Sequence, residues 1–186
     1  ALIVAAQRAP AATGATPNPA ADQATLKLFE SRVAALEKQV RDADNGAPPR
    51  KPTASSAHLE ASRRRIATRL RQARAGAKLG DIFTPEVVDL FRRRLAQAWN
   101  GPQGAAIRAS LRHAEPLPTK ALPVNASYPS AVPLQSTPPD LLEALPPLPG
   151  DLEYRFVGRN LILHSLPSNL VVDVMPNALP AELPPA

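Results

Sequence analysis

The sequence predicts an α+β chain: three or four helices packed as a hairpin or small bundle, a Pro-rich extended arm, and a C-terminal three-stranded antiparallel meander. Three observations carry this reading. Apolar residues recur at three- and four-residue spacing between residues 22 and 113, the period of a helix face. Ten of the 23 prolines then fall between Glu115 and Gly150. After Asp151 the pattern changes to short runs of alternating polarity separated by turn residues, the period of strands.

Length and composition bound the rest. The 186 residues suffice for one ordinary domain, or a small domain with tails. Aromatic residues are 4% of the chain and Gly is only 8 residues, which excludes a large aromatic core and a Gly-rich linker protein. Cysteine is absent, which removes disulfides, thiol catalysis, thiolate zinc and iron–sulfur chemistry together. The net charge of +6 favours anionic partners weakly.

Residues 1–21 read as a signal-peptide remnant followed by a flexible spacer. Val4-Ala5-Ala6 before Gln7 fits the small-x-small rule of signal peptidase cleavage, so export is expected, to the periplasm or the extracellular space. Asp22 is the expected cap of a first helix, whose stripe is Leu26, Phe29, Val33, Leu36 and Val40. Asn45-Gly46 and Pro48-Pro49 end it. Ser55 or Ser56 opens a second helix running to about Ala77. Its thin apolar side is Leu59, Ile66, Leu70, Ala73 and Ala77, and its polar side is dense in arginine. Thr84-Pro85-Glu86 starts a third helix with the stripe Val88, Phe91, Leu95, Ala98 and Trp99, stopped by Asn100-Gly101-Pro102. A weaker fourth helix places Ala106, Ile107 and Leu111 inward.

Residues 114–150 form the arm. Proline disfavours both helix and central strand, yet leucine and valine recur throughout, so the arm should lie along the bundle with one helical turn at Pro139–Leu145. In the meander, residues 151–177, Gly158-Arg159 suits a tight hairpin turn. That turn sets Phe156 opposite Leu161 and Tyr154 opposite Leu163. Continuing through the turn at residues 165–168 sets Leu163 opposite Leu170 and Leu161 opposite Val172. One face then gathers Tyr154, Phe156, Leu161, Leu163, Leu170 and Val172. The other carries Glu153, Arg155, Asn160, His164, Asn169 and Asp173. Residues 178–186 are a tail.

Gly80-Asp-Ile-Phe-Thr-Pro-Glu-Val-Val88, Leu152–His164 and Asn169–Pro180 resemble a family of exported bacterial proteins with no assigned activity, over about residues 55–180. The resemblance implies export from a Gram-negative-type cell and brings no catalytic residues. The hairpin is also faintly similar to the small β-domain of periplasmic nickel/cobalt-homeostasis proteins.

Among the chemistry-bearing residues, His58, His113 and His164 never pair at helical spacing, so no local metal site is encoded. His164 is expected on the polar sheet face beside Glu153 and Asn169, as a solvated histidine next to a carboxylate. Glu86 and Asp89 read as helix N-terminal charges. No nucleophile elbow, P-loop, dinucleotide fingerprint or metalloprotease helix occurs. The one band of interest is Arg63, Arg64, Arg65, Arg69, Arg71 and Arg74, with Arg92, Arg93 and Arg94 on the next helix. It reads first as a solvated face and second as a phosphate-type anion site.

The resulting expectation is an exported, non-enzymatic structural or protein-interaction component of the cell envelope, with a protein or envelope partner and neither cofactor nor metal. The alternative is an anion-binding module that uses Arg63, Arg64, Arg65, Arg69, Arg71 and Arg74 to hold anionic lipid or an envelope polymer. Nucleic acid is less favoured, because no aromatic stacking platform accompanies the arginines. Association into a homo-oligomer is left open.

Overall fold

In the computed structural model, which describes residues 18–45, 55–112, 122–128 and 137–181, the described chain opens on a helix cap. Asn18 caps α1 (Pro19–Asp44), its side-chain oxygen accepting from the Ala21 N–H, with Pro19 in the first turn. This corrects the expected cap at Asp22. The Asn-Pro pair satisfies the first turn earlier, and Asp22 pairs with Arg93. The stripe folds inward as its spacing demands: Phe29, Val33, Leu36 and Val40 are buried, and Leu26 packs at the margin.

Ser55 caps α2 (Ser56–Ala73) and accepts from the His58 N–H. The helix stops short of Ala77 because Arg74 leaves helical geometry. Its buried face is Ser62, Ile66, Ala67 and Leu70, whereas Leu59 and Ala73 of the expected stripe are exposed. In α3 (Pro85–Asn100) the buried set is Val87, Leu90, Phe91, Leu95 and Trp99. Val88 and Ala98 sit at its edge, since the face that meets a neighbour on each side is wider than one stripe. α4 (Gly104–Arg112) buries Ile107 and half-buries Leu111, and Ala106 points outward. A Cβ on Gly104 would lie 2.1 Å from the Trp99 carbonyl oxygen, so only glycine lets α4 start against the end of α3. The expected turn in the arm is α5 (Pro139–Glu143), which buries Leu141.

The sheet is β1 (Leu152–Val157), β2 (Asn160–Ser165) and β3 (Leu170–Met175), antiparallel in the order β1-β2-β3. The first register is as expected, Phe156 opposite Leu161 and Tyr154 opposite Leu163. The second differs. Ser165 faces Leu170, Leu163 faces Asp173 and Leu161 faces Met175, with a bulge that leaves Val172 without a cross-strand partner. The six expected core residues still share one face. Alternation from Leu170 places Val172 there, and the bulge then shifts the phase, so that Met175 joins this face while Val171 and Val174 lie on the other.

Sheet and helices bury one continuous core. Its centre is a knot of rings from four elements: Phe29 of α1, Phe83 of the α2–α3 loop, Phe91 of α3 and Tyr154 of β1. Their centroid separations are 5.0 Å for Phe29–Phe91, 6.1 Å for Phe83–Phe91 and 6.4 Å for Phe91–Tyr154. Edge-to-face contacts at such distances add about 0.5–1.5 kcal/mol each beyond area burial.

The second sheet face is not polar, which corrects the sequence reading. Val157, Ile162, Val171 and Val174 form a second apolar cluster under Tyr128 and Leu122 of the arm. Residues 122–128 run along β3 as a further edge: Asn125 N–H donates to Val171 O, Val171 N–H to Ala126 O, and Tyr128 N–H to Asn169 O. The sheet therefore lies between the helices and the arm. The cleavage motif Val4-Ala5-Ala6, His113, and the arm residues 113–121 and 129–136 lie outside the described residues, as do 46–54 and 182–186.

Candidate functional site

Three polar arrangements surround the sheet, and the arginine band connects two of them. The first is a clamp at the β3 bulge. Asp173 is fully buried, contrary to its expected place on the polar face. Its carboxylate accepts from Gly80 N–H (3.0 Å), Ile82 N–H (2.8 Å), Phe83 N–H (2.8 Å) and Val174 N–H (2.8 Å). Gly80 reaches this geometry at φ +87°, a conformation that glycine adopts without strain. Asp173 thus pins the α2–α3 loop, and with it Phe83, to the sheet. The signal in the sequence is that Asp173 is the lone charge in Leu170–Met175.

Arg74 lies beside it, only 8% exposed. Its guanidinium donates to the Val172 carbonyl at 2.9 Å and to Asn125 Oδ1 at 3.2 Å, and Asn125 Nδ2 returns a bond to the Arg74 carbonyl at 2.8 Å. Burial pulls the Arg74 pKa below its ordinary value, opposed by Asp173 and Asp81.

The second arrangement lies on the outer sheet face. His164 does stand beside Glu153 and Asn169, with Nδ1 2.8 Å from Glu153 Oε1 and Nε2 3.0 Å from Asn169 Oδ1. It is not solvated: only 2% remains exposed, because the Tyr128 ring covers it at a centroid distance of 5.2 Å. Asn169 Nδ2 donates to the Tyr128 carbonyl, which turns Oδ1 toward the imidazole. Arg155 pairs with Glu153 and stacks over Tyr128, 5.0 Å from its ring centroid. Burial lowers the His164 pKa, and this outweighs the Glu153 and Asn169 oxygens, which favour the imidazolium.

The third is an open groove of about 560 Å³ between α2 and the arm. Arg63, Arg64, Thr68 and Arg71 form its helical wall. Ser127 and Tyr128 of the arm face them, together with Ser168 and Asn169 of the β2–β3 turn. Glu60, at one end, pairs with Arg63 at 3.1 Å; both side chains are more than half exposed, so the pair is weak.

The structure divides the arginine band accordingly. Arg69 donates to the Ala43 and Asn45 carbonyls at the end of α1, and Arg71 to Asn125 O (2.9 Å) and Ser127 Oγ (2.8 Å). With Arg74, these three tie elements together; Arg69 does so from an exposed position, whereas half-buried Arg71 and buried Arg74 depart from the expectation of a solvated face. Arg63, Arg64 and Arg65 are exposed, and of these Arg63 and Arg64 line the groove. On α3, Arg92 donates to Pro176 and Asn177 carbonyls and Arg93 pairs with Asp22.

Among the described residues no group of three or more His, Asp or Glu side chains could hold a metal ion, and no helix is long and apolar enough to cross a membrane. The hydroxyl and amide groups opposite the arginines are the part of the groove that the sequence did not reveal, since they come from a Pro-rich arm and a turn remote from α2. No family model, curated protein or solved structure matches this chain.

Proposed function

We propose that the protein is a non-enzymatic binding module of the cell envelope that holds an anionic partner in the groove between α2 and the arm. One observation carries this reading. Arg63 and Arg64 stand exposed on the helical wall of a groove, beside Arg71, whose guanidinium already holds Asn125 O and Ser127 Oγ of the opposite wall. Guanidinium groups supply charge and paired donors to a carboxylate or phosphate. The envelope placement rests on Val4-Ala5-Ala6 before Gln7, and N-terminal sequencing of the native protein should begin at or near Gln7.

Retention on a heparin column tests the groove. Arg64→Glu removes a groove arginine, whereas Arg65→Glu makes the same charge change at an exposed neighbour outside the groove lining. Arg64→Glu should elute at clearly lower salt than Arg65→Glu. Equal elution would assign retention to net charge alone and overturn the reading.

A further inference from the structure

We propose that the arginine groove and an adjoining apolar slot form one site for an extended acidic peptide carrying a single apolar anchor residue. The proposal rests on the anion-binding reading of the groove and adds the chemical class of the partner. The slot, of about 200 Å³, lies between α2 and the β2–β3 turn and is lined by Leu59, Ser62, Arg63, Ile66, Leu166 and Pro167. Arg63 lines slot and groove alike, so the two are neighbours along one helix.

Two observations mark the slot as a place for a ligand. Leu59 and Leu166, on different elements, remain 39% and 41% exposed across it. Ser62 is only 8% exposed, and its hydroxyl has no hydrogen-bond partner among the described residues. A buried mid-helix serine ordinarily bonds back to its own helix. Here the hydroxyl is unpaired but closed to solvent, so a peptide N–H or C=O entering the slot would reach it as the side chains at its mouth part.

Size decides the class of occupant. A space of about 200 Å³ accepts one leucine- or phenylalanine-sized side chain and is too small for a lipid acyl chain. From Leu59 to Arg71 the helix rises about 18 Å, roughly the span of five or six extended residues. An extended peptide can therefore seat its anchor in the slot and lay following carboxylates along Arg63, Arg64 and Arg71. Arginine-rich grooves recognise acidic segments in this manner, with an apolar pocket setting register.

Fluorescence anisotropy with the full chain tests this. The probes are labelled hexapeptides of glutamate and serine, with one terminal position, at either end, set to Ala, Leu or Phe. Leu or Phe peptides should bind at least about tenfold more tightly than the Ala peptide. Leu166→Ser, a change at an exposed position, should erase that preference, and Arg64→Glu should weaken all three peptides. Equal binding of all three, still sensitive to Arg64→Glu, would overturn the anchor slot and leave the anion reading standing. Peptides that do not bind at all, while Arg64-dependent heparin retention persists, would overturn the peptide class alone. Loss of both would overturn both readings. Binding to anionic phosphatidylglycerol vesicles in place of the peptides would overturn the proposal in favour of a lipid surface.

Discussion

Arg74 donates to the carbonyl of Val172, 98 positions along the chain, at 2.9 Å. That bond accompanies the irregularity of the strand there and offsets its cost. The bulge leaves Val172 without a ladder partner, and a carbonyl without a partner in a buried sheet would be costly. Arg74 satisfies it from the end of α2 and reaches Asn125 of the arm with the same guanidinium. One side chain therefore joins a helix, a strand and the arm.

Arg74→Lys should then be far from conservative. A lysine keeps the charge but cannot direct two donors along these fixed directions. We expect losses of about 1–2 kcal/mol for Arg74→Lys and about 2–4 kcal/mol for Arg74→Ala in urea unfolding. A melt of Arg74→Lys indistinguishable from the wild type would mean that the forked geometry carries no stability.

Asp173→Asn keeps the size and removes the charge. One of the two carboxylate oxygens becomes an NH₂ that must face backbone donors from residues 80–83 or Val174. The cost should be about 2–4 kcal/mol, because hydrogen bonds to a charged acceptor are lost and a donor is set against a donor. Amide exchange at Ile82 and Phe83 should accelerate more than at Phe29 of α1, since the loop loses its anchor first. Uniform acceleration would place the defect elsewhere.

The stripe of α1, the Thr84-Pro85 start of α3 and the first hairpin were legible because each follows from local spacing and turn chemistry. Phe156 faces Leu161 because only one register closes a two-residue turn at Gly158-Arg159. The second register was not legible, because the bulge at Val172 depends on Arg74 and on the loop at Gly80, both remote in sequence. The same limit applies to His164. Its neighbours Glu153 and Asn169 follow from register, but its burial depends on Tyr128 of the arm. In the groove, the arginines of α2 were visible as a charged band. Which of them are tied to other elements was set by partners far along the chain: Asn125 and Ser127 engage Arg71, and the end of α1 engages Arg69, which stays exposed.

His164 should make stability depend on pH. Its pKa is lowered in the folded chain, chiefly by burial, from an ordinary value of about 6.5. The unfolded chain then binds the proton more readily. The contribution is fully present above about pH 6.5 and is lost as the pH falls through that value toward the lower folded pKa. Glu153, Asn169, Tyr128 and Arg155 are the groups that face the ring. Unfolding free energies at pH 7.5 and pH 5.5 for the wild type and His164→Gln check this. The wild-type advantage should shrink at the lower pH, and a constant advantage would show that the imidazole does not titrate differently on folding.

Phe156 and Arg155 are adjacent in β1 but face opposite sides of the sheet, so their truncations read the two layers separately. Phe156 is 2% exposed within the main core, against the helices. Phe156→Ala removes a whole ring from a packed site and should cost about 3–5 kcal/mol. Arg155 lies under no helix. It holds Glu153 and stacks on Tyr128, which together bring the arm over His164. A partly exposed ion pair contributes about 0–1 kcal/mol and a stacked guanidinium about 0.5–1 kcal/mol, so Arg155→Ala should cost roughly 1 kcal/mol overall. Its local effect should be larger than that number suggests: Tyr128 fluorescence and proteolysis near residues 122–128 should change while the helical core stays intact. Equal small losses for both variants would mean that the sheet does not bury its face on the helices. A Phe156→Ala loss that grows with protein concentration would place that face in an interface between chains.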